Sequence, residues 1–312
     1  MVFDKNVIAK KVLKSKRVWS LVIHPPLDGY LNMAIDEVLY EEARSGKRPP
    51  TLRLYQWEGD WVSIGYFQRP ERALNVEQAK ELGVSWVRRQ TGGKAVVHSE
   101  DLTYSLAAGD AQRWGWPSLK ETYRQVACAI ASGFKQAGLP VDVPKATERA
   151  FGKQGKFNDG VAPVPCFAVA SDYEITVGGK KLVGSAQYRS GDAFLQHGSV
   201  PLTNYNRNLA EEVLTDGRRR FNLNARYTTI EEAAGRRLGT EDVIGALKGG
   251  FAQTFDVDFE EEELDAGQME AARELARGKY ATLVWNEERG CSRDTGKFES
   301  FRKKGRKCLT IS

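Results

Sequence analysis

The 312-residue chain is 41% hydrophobic and 28% charged with a formal net charge of +5, the composition of an ordinary globular protein rather than a disordered or fibrous one. It holds no apolar run near the roughly 18–20 residues a transmembrane helix needs. Its basic N-terminus, MVFDKNVIAKKVLKSKRVW, has no apolar core with a small-residue cleavage site, and Cys128, Cys166, Cys291 and Cys308 form no C-x-x-C pair, so reduced thiols and a cytoplasmic location are expected.

Leu31, Ala34, Ile35, Val38 and Leu39 recur at helical spacing, which predicts an amphipathic helix over Leu31 to Ala43 that Gly46 and Pro49-Pro50 end. TLRLYQW and WVSIGYF then read as strands separated by Glu58-Gly59-Asp60. A short helix from Val76 to Glu81 stops at Gly83, and VSWVRRQ, KAVVH and LTYSLA follow as strands around a Gly-Gly turn. A second long helix runs from Leu119 to Ala137, closed by Gly138 and Pro140. YEITV, Gly178-Gly179 and KKLVGSAQYR make a hairpin whose glycines suit positive φ, and FLQHGSVPL is one more strand. From Thr229 onward the chain reads as mostly helical. With no internal repeat or low-complexity linker, the expectation is one α/β domain, a mixed and largely antiparallel sheet with flanking helices.

Three features carry chemistry. Arg88-Arg89-Gln90-Thr91-Gly92-Gly93 sits at a strand-to-turn junction, where paired glycines bring backbone N–H groups close to a ligand. It is neither a Walker A loop nor a dinucleotide fingerprint, and it reads equally as a plain hairpin turn. Cys166 follows Pro163-Val164-Pro165 in an irregular segment, and Lys181 lies on the neighbouring hairpin. A free thiol has a pKa of ~8.5, so a nearby cation favours the nucleophilic thiolate, and a desolvated lysine also serves as a base. The bland reading is a packed Cys166 and a solvated Lys181. His24, His98 and His197 have no metal-ligand spacing, Cys128 reads as core, and Arg218-Arg219-Arg220 and FRKKGRKC read as solvated surface without a nucleic-acid motif.

Taken in order, LNMAIDEVL, LRLYQWEGDWVSIGYFQ, VRRQTGGKAVVHSEDLTYSL, KKLVGSAQYR with QHGSVPL, and KYATLVWN resemble the family of lipoate-protein ligases, octanoyltransferases and biotin ligases. The likeness runs from about Trp19 to Asn286 and implies a biotin/lipoate protein ligase-like, class II synthetase-like catalytic domain over residues 1–286 with a basic tail at 287–312. PCFAVASDYEITVGGKKLVGSAQYR is similar to the cysteine-dependent octanoyltransferases of Gram-positive bacteria, where a Cys-Phe pair precedes Ser-x-Tyr-Glu and Lys-x-x-Gly-Ser-Ala-Gln segments. Lys94, where ligases commonly have a third glycine, points the same way.

The resemblance implies that Cys166 attacks octanoyl-acyl carrier protein and passes the acyl group to a lysine of a lipoyl domain or glycine-cleavage H protein, with Lys181 as its partner. It implies no cofactor, metal, nucleic acid or membrane. Thr91, Gly92, Gly93, Gly184, Ser185 and Ala186 would border the acyl tunnel, and Arg88, Arg89 and His98 its mouth. Ala170, where the group often has proline, and Tyr188, where a smaller residue is common, depart from the pattern. The alternatives are an ATP-dependent lipoate-protein ligase, in which Cys166 is incidental, and a non-catalytic lipoyl-carrier-binding protein.

Overall fold

Asp28 sets the start of the first helix: its Oδ1 accepts from the backbone N–H of Tyr30 at 2.9 Å and of Leu31 at 3.0 Å. The computed structural model describes residues 17–142, 173–214 and 226–288. In chain order the elements are β1 (Arg17–Ile23), α1 (Gly29–Arg44), β2 (Thr51–Tyr55), β3 (Trp61–Ile64), α2 (Pro70–Ala73), α3 (Val76–Glu81), β4 (Ser85–Arg88), β5 (Val96–His98) and β6 (Asp101–Ala108). They continue with α4 (Leu119–Gln136), β7 (Ile175–Val177), β8 (Lys180–Ser190), β9 (Ala193–Pro201), α5 (Tyr205–Val213), α6 (Ile230–Ala234), α7 (Thr240–Phe255) and β10 (Val257–Glu261). Helix α8 (Ala266–Leu275), a π-helical turn (Ala276–Tyr280) and α9 (Leu283–Asn286) complete them.

The main sheet has the order β10-β1-β2-β6-β9-β8-β7, and a small sheet the order β4-β3-β5. Strands β10, β1 and β2 run parallel, β3 and β4 are parallel, and the remaining pairs are antiparallel, so the mixed, largely antiparallel expectation holds. Helices α4 and α7 bury Ile130, Phe134, Phe251 and Phe255 in one core with Trp19 and Trp116. Ile35, Leu39 and Tyr40 of α1 pack with Tyr55, Leu195 and Tyr280 in a second core. Gly178 and Gly179 take φ of 56° and 78°, the left-handed pair that a two-residue turn between β7 and β8 requires.

The topology differs from the sequence reading in three places. Strands β2 and β3 are consecutive but belong to different sheets. Strands β4 and β5 flank β3 rather than each other, so Gly92-Gly93 crosses over a strand instead of closing a hairpin. Strand β10 falls within the stretch expected to be helical, beginning where Asp256 (φ 51°) turns the chain out of α7. Among the described residues no helix is long and apolar enough to cross a membrane.

Candidate active site

A charged residue on the buried face of α1 organises the centre of the molecule. Asp36 Oδ1 accepts from Arg53 Nη1 at 2.8 Å and Ser105 Oγ at 2.8 Å, while Oδ2 accepts from Tyr55 OH at 3.0 Å and meets His197 Nδ1 at 3.1 Å. A carboxylate only accepts, so His197 carries its proton on Nδ1 and its Nε2 accepts from Thr91 Oγ1 at 2.7 Å. Thr91 Oγ1 accepts in turn from Arg89 Nε at 3.1 Å. Burial alone would raise the Asp36 carboxyl, but the His197 hydrogen bond and the Arg53 charge outweigh it and hold the group below its ordinary value. Burial also holds His197 below its ordinary value, against the pull of Asp36. The pair rests as carboxylate and neutral imidazole.

Replacing Asp36 by asparagine is therefore expected to destabilise the fold by about 3–5 kcal/mol, because it leaves Arg53 enclosed without its counter-charge. The sign of the pH effect follows from the lowered carboxyl. Its contribution is present above the ordinary value of 3.8 and is lost as pH falls through the lower folded value. Urea unfolding of parent and variant should differ fully near neutral pH and converge in acid; a difference independent of pH would remove the charge as its cause.

Residues of both sheets line a small pocket, partly open to solvent, whose enclosed space is about 20 Å³. Met33, Tyr55, Trp57 and Val96 supply apolar walls, and Ser63, Arg89, His98, Thr103, His197 and Ser199 polar ones. Strand β8 contributes Gly184, Ser185 and Ala186, the segment singled out in the sequence. Of the residues expected at the tunnel mouth, Arg89 and His98 line this pocket. Arg89 also ties the Gly-Gly crossover to β3, donating from Nη1 to Ser63 O at 2.9 Å and from Nη2 to Gly92 O at 2.7 Å and Lys94 O at 2.8 Å.

Thr91 is fully buried behind the wall, bonded to His197. Gly93 is exposed at φ 91°, and a Cβ there would lie 2.9 Å from Arg89 Nη2 and 3.5 Å from Ala186 Cβ, so a side chain would meet both the guanidinium and the cavity strand. Gly92 is half-buried beside it.

Arg88 is not at the cavity, contrary to expectation. Consecutive residues of an extended chain point to opposite sides, and Arg88 turns away from Arg89. It is fully buried, donating from Nη1 to Tyr66 O at 2.8 Å and Gln68 O at 2.7 Å and from Nη2 to Asn286 O at 2.6 Å. Trp285 Nε1 returns a bond to Arg88 O at 2.7 Å. The KYATLVWN segment thus docks against β4 and holds the loop after β3. Cys128 is half-buried on α4 rather than sealed in the core. Tyr188 packs against Tyr40 with ring centroids 5.4 Å apart, so the departure at that position meets α1 rather than the cavity.

Lys181 lies upstream of Gly184 on β8 and is 6% exposed, which excludes the solvated reading. Its ammonium is bonded to the carboxylate of Glu174, itself 8% exposed. Its backbone N–H donates to Arg226 O at 2.8 Å and its carbonyl accepts from Thr228 N at 3.0 Å, which fixes the start of the strand. Cys166, Ala170, Arg218-Arg219-Arg220, Cys291 and Cys308 lie outside the described residues. Sequence reasoning missed Glu174, Asp36, Ser63 and Asp101. The available signals were the Tyr-Glu pair before the hairpin and an acid on the apolar stripe of α1. His24 accepts at Nδ1 from Arg53 Nε at 3.0 Å, and burial with the Arg53 charge brings it down to about 4.

Residues 28–252 match the family described as the lipoyl protein ligase A/B catalytic domain. The chain is 37% identical over 276 residues to Octanoyltransferase LipM of Moorella thermoacetica, covering 87% of this chain and 98% of that protein. It is 32% identical over 279 residues to Octanoyltransferase LipM of Brevibacillus brevis, covering 86% and 98%. Among solved structures, lipoate-protein ligase A bound with ATP is similar at a TM-score of 0.70 and 25% identity, covering 87% of this chain and 98% of that one.

Proposed function

We propose that this chain, which belongs to the lipoyl protein ligase A/B catalytic-domain family, is an octanoyltransferase that takes its acyl group from octanoyl-acyl carrier protein through Cys166. The acceptor is a lysine amine of a lipoyl domain or glycine-cleavage H protein. The activity, octanoyl transfer in lipoate biosynthesis, is that of an acyltransferase.

Cys166 Sγ attacks the carrier thioester and the carrier thiol leaves with a proton, giving an acyl-enzyme. The acceptor amine then attacks that thioester, and Cys166 is released. Dividing one transfer into two easier steps is the gain from a covalent intermediate, and a thioester needs no ATP to activate it. Lys181 favours the thiolate and handles the proton that the amine loses. The acyl chain runs along Met33, Tyr55, Trp57 and Val96, and removal of its own methylenes from water supplies the binding energy. The positive net charge favours acidic carrier and acceptor domains.

The observation that carries this reading is Lys181, enclosed and ion-paired on the strand whose next residues wall the cavity. The test incubates the protein with octanoyl-acyl carrier protein and an apo lipoyl domain, with and without ATP, and follows intact masses. Acceptor and enzyme should both gain an octanoyl group without ATP. Modification only from free octanoate and ATP, with pyrophosphate release, would place the chain among the ligases, and modification under neither condition would favour a carrier-binding protein.

A further inference from the structure

The transfer chemistry leaves one hydrogen-bonded array in the cavity unused. Ser63 of β3 and His98 of β5 come together because those strands pair antiparallel, and Asp101 opens β6 just after His98. Ser63 Oγ lies 2.8 Å from His98 Nε2, and His98 Nδ1 lies 2.9 Å from Asp101 Oδ2. Asp101 Oδ2 also accepts from Thr103 Oγ1 at 3.2 Å and Ser199 Oγ at 2.6 Å, which establishes it as an acceptor. His98 therefore carries its hydrogen on Nδ1, and its Nε2 lone pair faces the Ser63 hydroxyl. The indole of Trp57 stacks on the imidazole at 4.0 Å and an interplanar angle of 13°, fixing the ring plane.

Two further observations separate this array from an inert polar core. Ser63 and His98 both face the pocket, and Arg89 Nη1 lies 3.2 Å from Ser63 Oγ, so a cation stands where negative charge on the Ser63 oxygen would develop. Asp101 is fully buried, yet its Oδ1 has no hydrogen-bond partner among the described residues. A buried carboxylate oxygen without a partner calls for an explanation, and an array that exchanges protons with a bound molecule supplies one. A nucleophile bonded to a base that a third group orients is the recognisable pattern of hydroxyl activation, whatever the fold.

We propose that Ser63, His98 and Asp101 form a second acyl-accepting centre that hydrolyses small acyl esters and thioesters whose carbonyl enters the pocket. Ser63 Oγ attacks the acyl carbonyl and its proton passes to His98 Nε2. The carbon–sulfur or carbon–oxygen bond breaks, and the leaving thiolate or alkoxide takes that proton. Water then attacks the acyl-serine, giving up its proton through His98, and releases the carboxylic acid with Ser63 restored. No oxidant, reductant or ATP enters the balance.

The experiment uses the full chain carrying Cys166→Ser, so that a thiol adduct at that position is removed, with a fluorophosphonate probe and p-nitrophenyl butyrate as reagents. Peptide mass spectrometry should locate the phosphonate on Ser63, and ester hydrolysis should fall ~10²-fold or more when Ser63→Ala is added. Labelling the chain with its native Ser63 guards against a variant that merely fails to fold. Absence of a Ser63 adduct, or hydrolysis unchanged by Ser63→Ala in a protein with the parent's melting curve, overturns the proposal. The transfer reading fails on a different result, retained octanoyl transfer by Cys166→Ser.

Discussion

A chain carrying Cys166→Ser is expected to take up no octanoyl group from octanoyl-acyl carrier protein, and transfer to an apo lipoyl domain should fall on the order of 10³-fold or more, as when a covalent nucleophile is deleted. The reason is protonation state. A thiol with a pKa of ~8.5 is partly ionised near neutral pH and more so beside a cation, whereas an alcohol there remains a neutral, weak nucleophile. Intact mass reads the first effect and acceptor acylation the second. Hydroxylamine should release the parent's adduct readily, since a thioester is more labile to amines than the oxyester an acylated serine would hold. A melting curve like the parent's would separate loss of the nucleophile from loss of the fold. Full transfer by the serine variant would remove Cys166 from the mechanism and leave the ligase alternative standing.

How far the fold was legible depended on whether the information was local. The spacing of Leu31, Ala34, Ile35, Val38 and Leu39 marks α1, and Asp28 extends it to Gly29 by accepting from the N–H groups of Tyr30 and Leu31. Most strands were legible, β1 and β10 excepted, but strand partners were not. Every residue of β2 and of β3 is buried, so neither shows an alternating face that would assign it to a sheet. Strand β10 is short and charged, as an edge strand is, and its Val-Asp-Phe-Glu-Glu pattern is masked by the helices around it.

The candidate site divides in the same way. The Gly-Ser-Ala segment of β8 and Arg89 were visible as motifs, whereas the run from Asp36 through His197 to Thr91 joins positions 161 and 106 residues apart. No local pattern encodes such a contact; the sheet order does. Arg88 and Arg89 make the point at single-residue scale. Two adjacent arginines of identical chemistry serve opposite sides of an extended chain, one clamping the KYATLVWN segment and the other walling the cavity.

The Lys181–Glu174 pair separates a structural lysine from a catalytic one. Lys181→Met is expected to lose turnover and to cost about 3–5 kcal/mol of stability, because it leaves the Glu174 carboxylate enclosed without its partner. Adding Glu174→Gln to that variant removes the orphaned charge, and since apolar or neutral replacements of a buried pair are often close to neutral, most of the stability should return. Transfer should not return with it. Alkylation of Cys166 by iodoacetamide supplies the second readout: without the lysine's cation the thiol should need a higher pH to react, because loss of a nearby positive charge disfavours the thiolate. Lys181→Arg is the control that splits charge from proton handling. The guanidinium keeps the charge, so alkylation should stay near the parent's profile, but it does not give up a proton near neutral pH, so turnover should remain low. Should the double variant regain both stability and transfer, Lys181 serves only to hold β8 in place, and the proton must leave the acceptor amine by another route.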